Sequence, residues 1–180
     1  MTASVAHAQG SSDIQADAKL YDITKAAAEE PVATTVDKTC LPVFGRFTAD
    51  VVPPPACESP VGFCTEGELT GFLRGKYTLT SEQFIETGDP RVPFVTFFTG
   101  TSEVTTSLGS FVGVDTGSIN LSEPGSIGSG RVSTLITIVE NGSGGGYFPI
   151  DAGYLHIRGE SDLASGTVDG YYAGVVCWDP

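Results

Sequence analysis

Residues 68–79 have the sequence Glu-Leu-Thr-Gly-Phe-Leu-Arg-Gly-Lys-Tyr-Thr-Leu, in which apolar residues and glycines alternate with polar ones. Successive side chains of a β-strand point to opposite faces, so this alternation predicts a strand with one buried face. The residues of that inward face are Leu69, Gly71, Leu73, Gly75, Tyr77 and Leu79. The stretch therefore favours an all-β fold with one side of the sheet turned to a core.

The same apolar-plus-glycine face recurs along the rest of the chain. Its members are Phe98, Gly100, Ser102 and Val104; Phe111, Gly113, Asp115, Gly117 and Ile119; Leu155, Ile157 and Gly159; and Val168, Gly170, Tyr172, Gly174 and Val176. Glycine at every second inward position makes room where strands coil tightly or where an aromatic ring crosses the interior. This pattern favours a closed antiparallel barrel over a sandwich.

Turn residues divide the sequence into short strand runs. The predicted strands are Val43–Val52, Glu66–Phe84, Phe94–Thr106, Ser110–Leu121, Arg131–Glu140, Ala152–Glu160 and Thr167–Trp178. The short Gly- and Pro-containing breaks between them are typical of hairpin connections. An eighth strand would come from a bend within Glu66–Phe84 or from the segment before Pro42. We therefore predict a barrel of about eight strands over residues 40–180.

The four cysteines predict two disulfides, with free buried thiols or a metal site as the alternatives. A strand over Val43–Val52 would hold its ends roughly 30 Å apart, which disfavours pairing Cys40 with Cys57. Cys57 and Cys64 flank a short loop and can pair directly. Cys40 is then left for Cys177, which would tie the first strand to the last. Disulfides also indicate a secreted, extracellular protein.

The N-terminal residues differ from the rest. Ala6-His7-Ala8 followed by Gln9 has the small-x-small form of a signal-peptidase site, although an Ala-rich terminus also produces this form by chance. We interpret residues 1–8 as the remnant of a signal peptide. Residues 9–39 are rich in Ala, Asp, Glu and Lys with a thin apolar stripe, and we predict a flexible or weakly helical arm outside the barrel.

Charge and hydropathy exclude several classes of partner. The net charge is −13, with nine Lys and Arg residues in all, so the basic stripe of a nucleic-acid-binding protein is missing. No apolar run reaches about eighteen residues, which predicts no membrane insertion. The two His residues lack metal-ligand spacing, so no metal and no cofactor are expected.

Several short motifs resemble bacterial secreted members of the allene oxide cyclase-like and dirigent-like barrel superfamily. They are Cys64-Thr-Glu-Gly-Glu-Leu-Thr-Gly-Phe-Leu-Arg-Gly-Lys-Tyr77, Phe98-Thr-Gly-Thr101, Val114-Asp-Thr-Gly117, Gly153-Tyr-Leu-His-Ile-Arg-Gly159 and Gly174-Val-Val-Cys177. The resemblance implies an eight-stranded antiparallel barrel with an apolar cavity, action on small hydrophobic molecules, and a homo-oligomer, often a trimer.

Asp115 is the main candidate for chemistry, because a carboxyl group on the inward register is desolvated and its pKa raised. It would act as a general acid or stabilise a cationic intermediate, and hydrogen bonding to buried backbone or hydroxyl groups is the structural alternative. The candidates for ligand contact are the inward aromatic residues Tyr77, Tyr172, Phe98 and Phe111, for which wall packing is the alternative. His156 is predicted to face outward, with Arg158.

Three functions follow from such a barrel. The first is an isomerase or cyclase without a cofactor, in which the lumen folds a hydrophobic substrate and excludes water. The second is a non-catalytic carrier of a small hydrophobic molecule, which needs the same lumen and no acid. The third is a secreted structural or interaction module with a filled interior.

Overall fold

The computed structural model describes residues 37–91, 94–121, 129–162 and 164–180. In these ranges the chain forms eight antiparallel strands, each hydrogen-bonded to the next, and β8 pairs with β1 to close a barrel. The strands are β1 (Thr39–Val52), β2 (Cys64–Gly71), β3 (Gly75–Glu86), β4 (Val95–Thr106), β5 (Ser110–Leu121), β6 (Ser129–Asn141), β7 (Ala152–Asp162) and β8 (Thr167–Trp178). The predicted closed all-β barrel is confirmed.

The predicted N-terminal features lie almost entirely outside the described residues. These features are the signal-peptide remnant at 1–8 and the arm at 9–39, of which only Asp37, Lys38 and Thr39 are described. Thr39 is already the first residue of β1. The Lys38 ammonium donates to the carboxylates of Asp151 and Asp179, at 2.7 and 2.9 Å.

A bend in the predicted run Glu66–Phe84 supplies the eighth strand. β2 ends at Gly71 and β3 begins at Gly75, so the run is a hairpin in place of one long strand. Gly71 has a φ of +94°, which a residue with a side chain rarely adopts, and its Cα packs against Gly45 of β1. The segment before Pro42 extends β1 and adds no separate strand.

Residues that alternate between apolar and polar in the sequence alternate between core and solvent in the barrel. Of the residues that the structure describes, twenty-two apolar ones are buried, and those at the inward positions of the strands form one hydrophobic core. Charged residues lie on the outer face, and Asp115 is the exception among the described residues. The period-2 pattern therefore located the interior correctly on β2 to β5, β7 and β8.

The two ends of the barrel differ, and we call the end at which β1 begins the lower end. The segment between β6 and β7 folds against the lower end, where Ile150 is fully buried and the N–H of Phe148 donates to the Leu108 carbonyl at 2.7 Å. The Phe148 ring also stacks on Trp178, with ring centroids 4.3 Å apart. The upper end is where β1 ends and β2 begins.

Both predicted disulfides are present, and no free cysteine remains among the described residues. Cys40 lies directly opposite Cys177 in the register of β1 and β8, so this bond joins the first and last strands at the lower end. Cys57 and Cys64 close the loop that leads into β2 at the upper end. Two such bonds indicate that the protein forms in an oxidising environment.

Candidate functional site

Asp115 lies on the inward face of β5, between Gly113 and Gly117, with 1% of its surface exposed. The register of β5 places its side chain in the lumen, opposite Gly100 of β4 and Ile136 of β6. Neither carboxylate oxygen has a hydrogen-bond partner in the described part of the chain. Burial raises the pKa of Asp115 from 3.8 to about 7, because desolvation penalises the charged form.

Asp115 lines a cavity in the upper half of the barrel with a volume of about 30 Å³. The other residues around it are Phe47, Phe63, Thr65, Tyr77, Leu79, Phe98, Ile119, Val132, Thr134, Ile157 and Val168. This space holds about two water molecules, whereas sites for drug-sized ligands measure roughly 300 Å³ or more. The lumen is thus a small, mainly apolar chamber with one carboxyl group in its wall.

Tyr77 provides the second titratable group of the cavity. Its hydroxyl is 3.0 Å from the Thr65 hydroxyl oxygen, and its ring meets Phe47 edge to face, with centroids 6.3 Å apart. Burial raises the pKa of Tyr77 to about 12; the hydrogen bond with Thr65 opposes this rise and the charge of Asp115 adds to it. Tyr77 therefore stays neutral at physiological pH and keeps a phenolic proton near Asp115.

Ser102, on the adjacent strand β4, is a polar neighbour that acts on Asp115. Its hydroxyl lowers the pKa of Asp115 slightly against the larger effect of burial. The contact falls short of a well-formed hydrogen bond, since neither the Ser102 oxygen nor the Asp115 oxygens have a partner with that geometry. The hydroxyl oxygens of Ser81 and Ser161 are likewise buried without a partner. A hydroxyl left this way costs less free energy than a carboxylate.

Phe98, a predicted ligand contact, also lines the cavity, and Gly117 makes space for its ring. A Cβ atom at position 117 would lie 2.5 Å from Phe98 Cζ and 2.7 Å from Thr134 Oγ1. Real Cβ atoms do not approach other atoms so closely, so a residue with a side chain at this position would require the Phe98 ring to move. The inward glycine beside Asp115 therefore allows an aromatic ring to lie in the chamber.

The two other predicted ligand contacts, Tyr172 and Phe111, lie outside this cavity, in the lower half of the barrel. The Tyr172 hydroxyl accepts a hydrogen bond from the Leu73 N–H at 2.8 Å, and it lies 3.0 Å from the Thr70 carbonyl. Phe111 is fully buried in the core. Both side chains therefore belong to the packed core of the lower half, and the cavity lies in the upper half.

Two hydroxyl groups of the site were not among the candidates from the sequence. Thr65 lies just before the predicted run Glu66–Phe84, and Thr134 lies on β6, for which no inward face had been assigned. Counting the alternation back from Leu69 and Tyr77 across the strand boundary would have placed Thr65 inside. Thr134 is at an inward position of β6, as is Ile136.

His156 is half-buried on the outside of β7, as predicted, where its Nε2 is 3.2 Å from the Ser133 hydroxyl oxygen and 3.3 Å from Arg158 Nε. No group of three possible metal ligands occurs among the described residues. In that same part of the chain, no helix has the length and apolar character needed to cross a membrane.

Comparison with known proteins adds no identification. No family model matches the chain, no curated protein is significantly similar to it, and no solved structure matches it. The class that the fold and the site define is therefore a disulfide-bonded, eight-stranded antiparallel barrel with a buried carboxyl group in a small chamber.

Proposed function

We propose that this barrel is a secreted protein that binds a small, mostly apolar molecule whose polar group hydrogen-bonds Asp115. The observation that carries the proposal is the Asp115 carboxyl group, which is 1% exposed, lines the cavity and has no partner on either oxygen among the described residues. A buried polar group left unpaired costs about 1–3 kcal/mol. A bound molecule that supplies the missing hydrogen bond would offset this cost.

A role in packing alone gives a weaker account of Asp115. Native proteins pair nearly all their buried polar atoms, and those left unpaired are often at functional sites. An apolar residue of similar size would fill the same space in the wall without desolvating a carboxyl group. The presence of a carboxyl group at this position thus supports a role in binding.

The cavity size limits how such a molecule can bind. About 30 Å³ accommodates a polar group and little more. The apolar body would lie at the upper end, where Phe63 and Val132 line the cavity and are partly exposed. Phe63 also contacts Phe84, with ring centroids 5.7 Å apart, which extends the apolar surface on this end.

If the barrel is also an enzyme, the reaction that belongs to this proposal is isomerisation of the bound molecule. With a pKa of about 7, Asp115 exists in both protonation states near neutral pH, which suits a general acid or base. Tyr77 keeps its proton and can donate a hydrogen bond to a carbonyl oxygen. The resemblance to the allene oxide cyclase-like and dirigent-like superfamily, and a trimer, belong to this proposal, and the closed eight-stranded barrel is the fold that this resemblance implies.

A second candidate, a secreted structural or interaction module, is favoured by one observation. Buried side chains that include Tyr172 and Phe111 pack in the lower half of the barrel, and the cavity above them is far smaller than a typical ligand site. A module of this kind would bind nothing at Asp115.

The test is a titration of the ¹⁵N-labelled protein with small apolar probes that carry one polar group, such as hexanol, hexylamine and cyclohexanone. Binding should shift the amide signals of Asp115, Gly117 and Thr134, and Asp115→Asn should weaken it. Asp169→Asn, which removes an exposed carboxylate from the outer face of β8, is the matched control. If no probe shifts these signals, the proposal fails and the structural candidate stands. Exchange of the α-hydrogens of cyclohexanone in D₂O, faster with the unaltered protein than with Asp115→Asn, then separates a proton-transfer catalyst from a carrier.

A further inference from the structure

We infer that the polar group of the bound molecule is a cation, and that the barrel binds an ammonium group attached to a compact apolar body. This inference rests on the proposed binding site at Asp115 and adds the chemical class of its ligand. Three features of the cavity support it, namely its charge balance, its aromatic lining and its size. The net charge of the whole chain is the fourth.

The first feature is that the Asp115 carboxylate has no counter-ion among the residues that the structure describes. No Lys, Arg or His side chain is among the residues that line the cavity. The other strands of the barrel contribute neutral side chains to the cavity wall. These are Phe47 from β1, Thr65 from β2, Tyr77 and Leu79 from β3, Phe98 from β4, Val132 and Thr134 from β6, Ile157 from β7 and Val168 from β8. Asp115 and Tyr77 are therefore the only titratable groups of the described cavity wall. A buried charge is normally paired, so a ligand cation would supply the missing partner.

The second feature is the aromatic lining. Phe47, Phe63, Tyr77 and Phe98 contribute four rings to one small cavity. The faces of such rings carry negative potential and attract ammonium groups, most strongly where water is excluded. A carboxylate together with several aromatic rings suits a desolvated cation better than it suits an alcohol, and it repels a carboxylate.

The third and fourth features are size and net charge. A primary ammonium group is close to a water molecule in size, and the cavity of about 30 Å³ holds about two water molecules. The chain has a net charge of −13, which attracts cations and repels anions at long range. Fatty acids and other anionic apolar molecules are correspondingly disfavoured.

The test compares two probes of the same shape, hexylamine and hexanol, by isothermal titration calorimetry in about 0.15 M salt, where surface charge is largely screened. At about pH 8, we expect the amine to bind about tenfold or more tightly than the alcohol, since charge-assisted hydrogen bonds are the stronger class. Asp115→Asn should reduce this preference to about twofold or less. Asp169→Asn, which changes the net charge equally, should retain it.

A second measurement on the unaltered protein covers the case in which Asp115→Asn does not fold. Because the pKa of Asp115 is about 7, binding of a cation must expel the carboxyl proton at lower pH. Amine affinity should then fall about tenfold for each pH unit below 7, with up to one proton released on binding, while hexanol affinity changes little.

The outcomes separate the inference from the proposed function. If hexanol binds at Asp115 as tightly as hexylamine, or if amine affinity does not change over the pH range in which the Asp115 carboxyl group itself titrates, the polar group of the ligand is not a cation and the proposed binding site stands. If neither probe perturbs the cavity, the proposed function and this inference fail together. A preference that survives Asp115→Asn would place the amine on the acidic outer surface and overturn the inference.

Discussion

The hydroxyl of Tyr172 accepts a hydrogen bond from the backbone N–H of Leu73 at 2.8 Å, across 99 residues of sequence. The same hydroxyl lies 3.0 Å from the Thr70 carbonyl and 3.1 Å from the Leu73 carbonyl, to one of which it donates its proton. One side chain of β8 thus holds the bend between β2 and β3 from inside the barrel. Gly45 of β1 leaves space for it, since a Cβ there would lie 2.5 Å from the hydroxyl oxygen.

Tyr172→Phe should therefore destabilise the fold without altering the cavity at Asp115. The substitution leaves the buried Leu73 N–H without an acceptor, at a cost of about 1–3 kcal/mol in the free energy of unfolding. Denaturation in guanidinium chloride measures this change. Tyr171→Phe is the control, because Tyr171 faces outward on the same strand, and its loss should be about 0.5 kcal/mol or less. Equal losses at the two positions would contradict the account.

Asp115→Asn should stabilise the protein at neutral and alkaline pH. In the folded state Asp115 holds its proton up to about pH 7, whereas the unfolded chain releases it near the ordinary value of 3.8. Between these values the unfolded state binds fewer protons, so the free energy of unfolding falls as pH rises. The fall amounts to about 4 kcal/mol and is complete above about pH 7.

The difference in stability between Asp115→Asn and the unaltered protein isolates this effect from the other titrating groups. It should be small near pH 4, grow as pH rises to about 7 and stay level above that value, as measured by denaturation at several pH values. A difference that does not vary with pH would mean that Asp115 titrates normally and is not desolvated.

The two disulfides should contribute unequally to stability. The Cys40–Cys177 bond spans 137 residues and the Cys57–Cys64 bond spans seven. Loop-closure entropy in the unfolded chain predicts losses of about 5 and about 2 kcal/mol on replacing each pair by serine. Thermal and guanidinium unfolding of the two double variants provides the comparison. A larger loss from the short loop would mean that chain entropy does not dominate.

Gly117→Ala should displace the Phe98 ring, because the added methyl group would overlap Phe98 Cζ and Thr134 Oγ1. Overpacking of this kind costs about 1–3 kcal/mol. Phe98→Leu combined with Gly117→Ala should recover part of the loss, and a double-mutant cycle measures the coupling between the two positions. If the stability changes of the two single substitutions simply add, the methyl group is accommodated without displacing the Phe98 ring.

The fold and much of the site could be predicted because alternation encodes which side chains face inward. Asp115 follows from its place between Gly113 and Gly117, and the disulfides follow from the length of the strand after Cys40. The role of Tyr172 could not be predicted in this way. Its partners are backbone groups about a hundred residues away, and main-chain atoms leave no signal in the pattern of side chains.

The size of the lumen also could not be predicted from the sequence pattern. It depends on how side chains from all eight strands pack together, and on the segment after β6 that folds against the lower end. Alternation identifies the residues that face inward, but their shared volume is a property of the closed barrel. The split of the predicted run Glu66–Phe84 similarly depends on Gly71 packing against Gly45 of another strand.

The most direct test of the central claim, that Asp115 is a buried binding group, is a pH titration of its carboxyl carbon by ¹³C NMR, without and with a bound probe. We expect a pKa of about 7 for Asp115 in the free protein. We also expect a displaced midpoint when hexylamine or hexanol is added, because the probe contacts the carboxyl group. A midpoint near 3.8 that no probe alters would contradict both the burial of Asp115 and its role in binding.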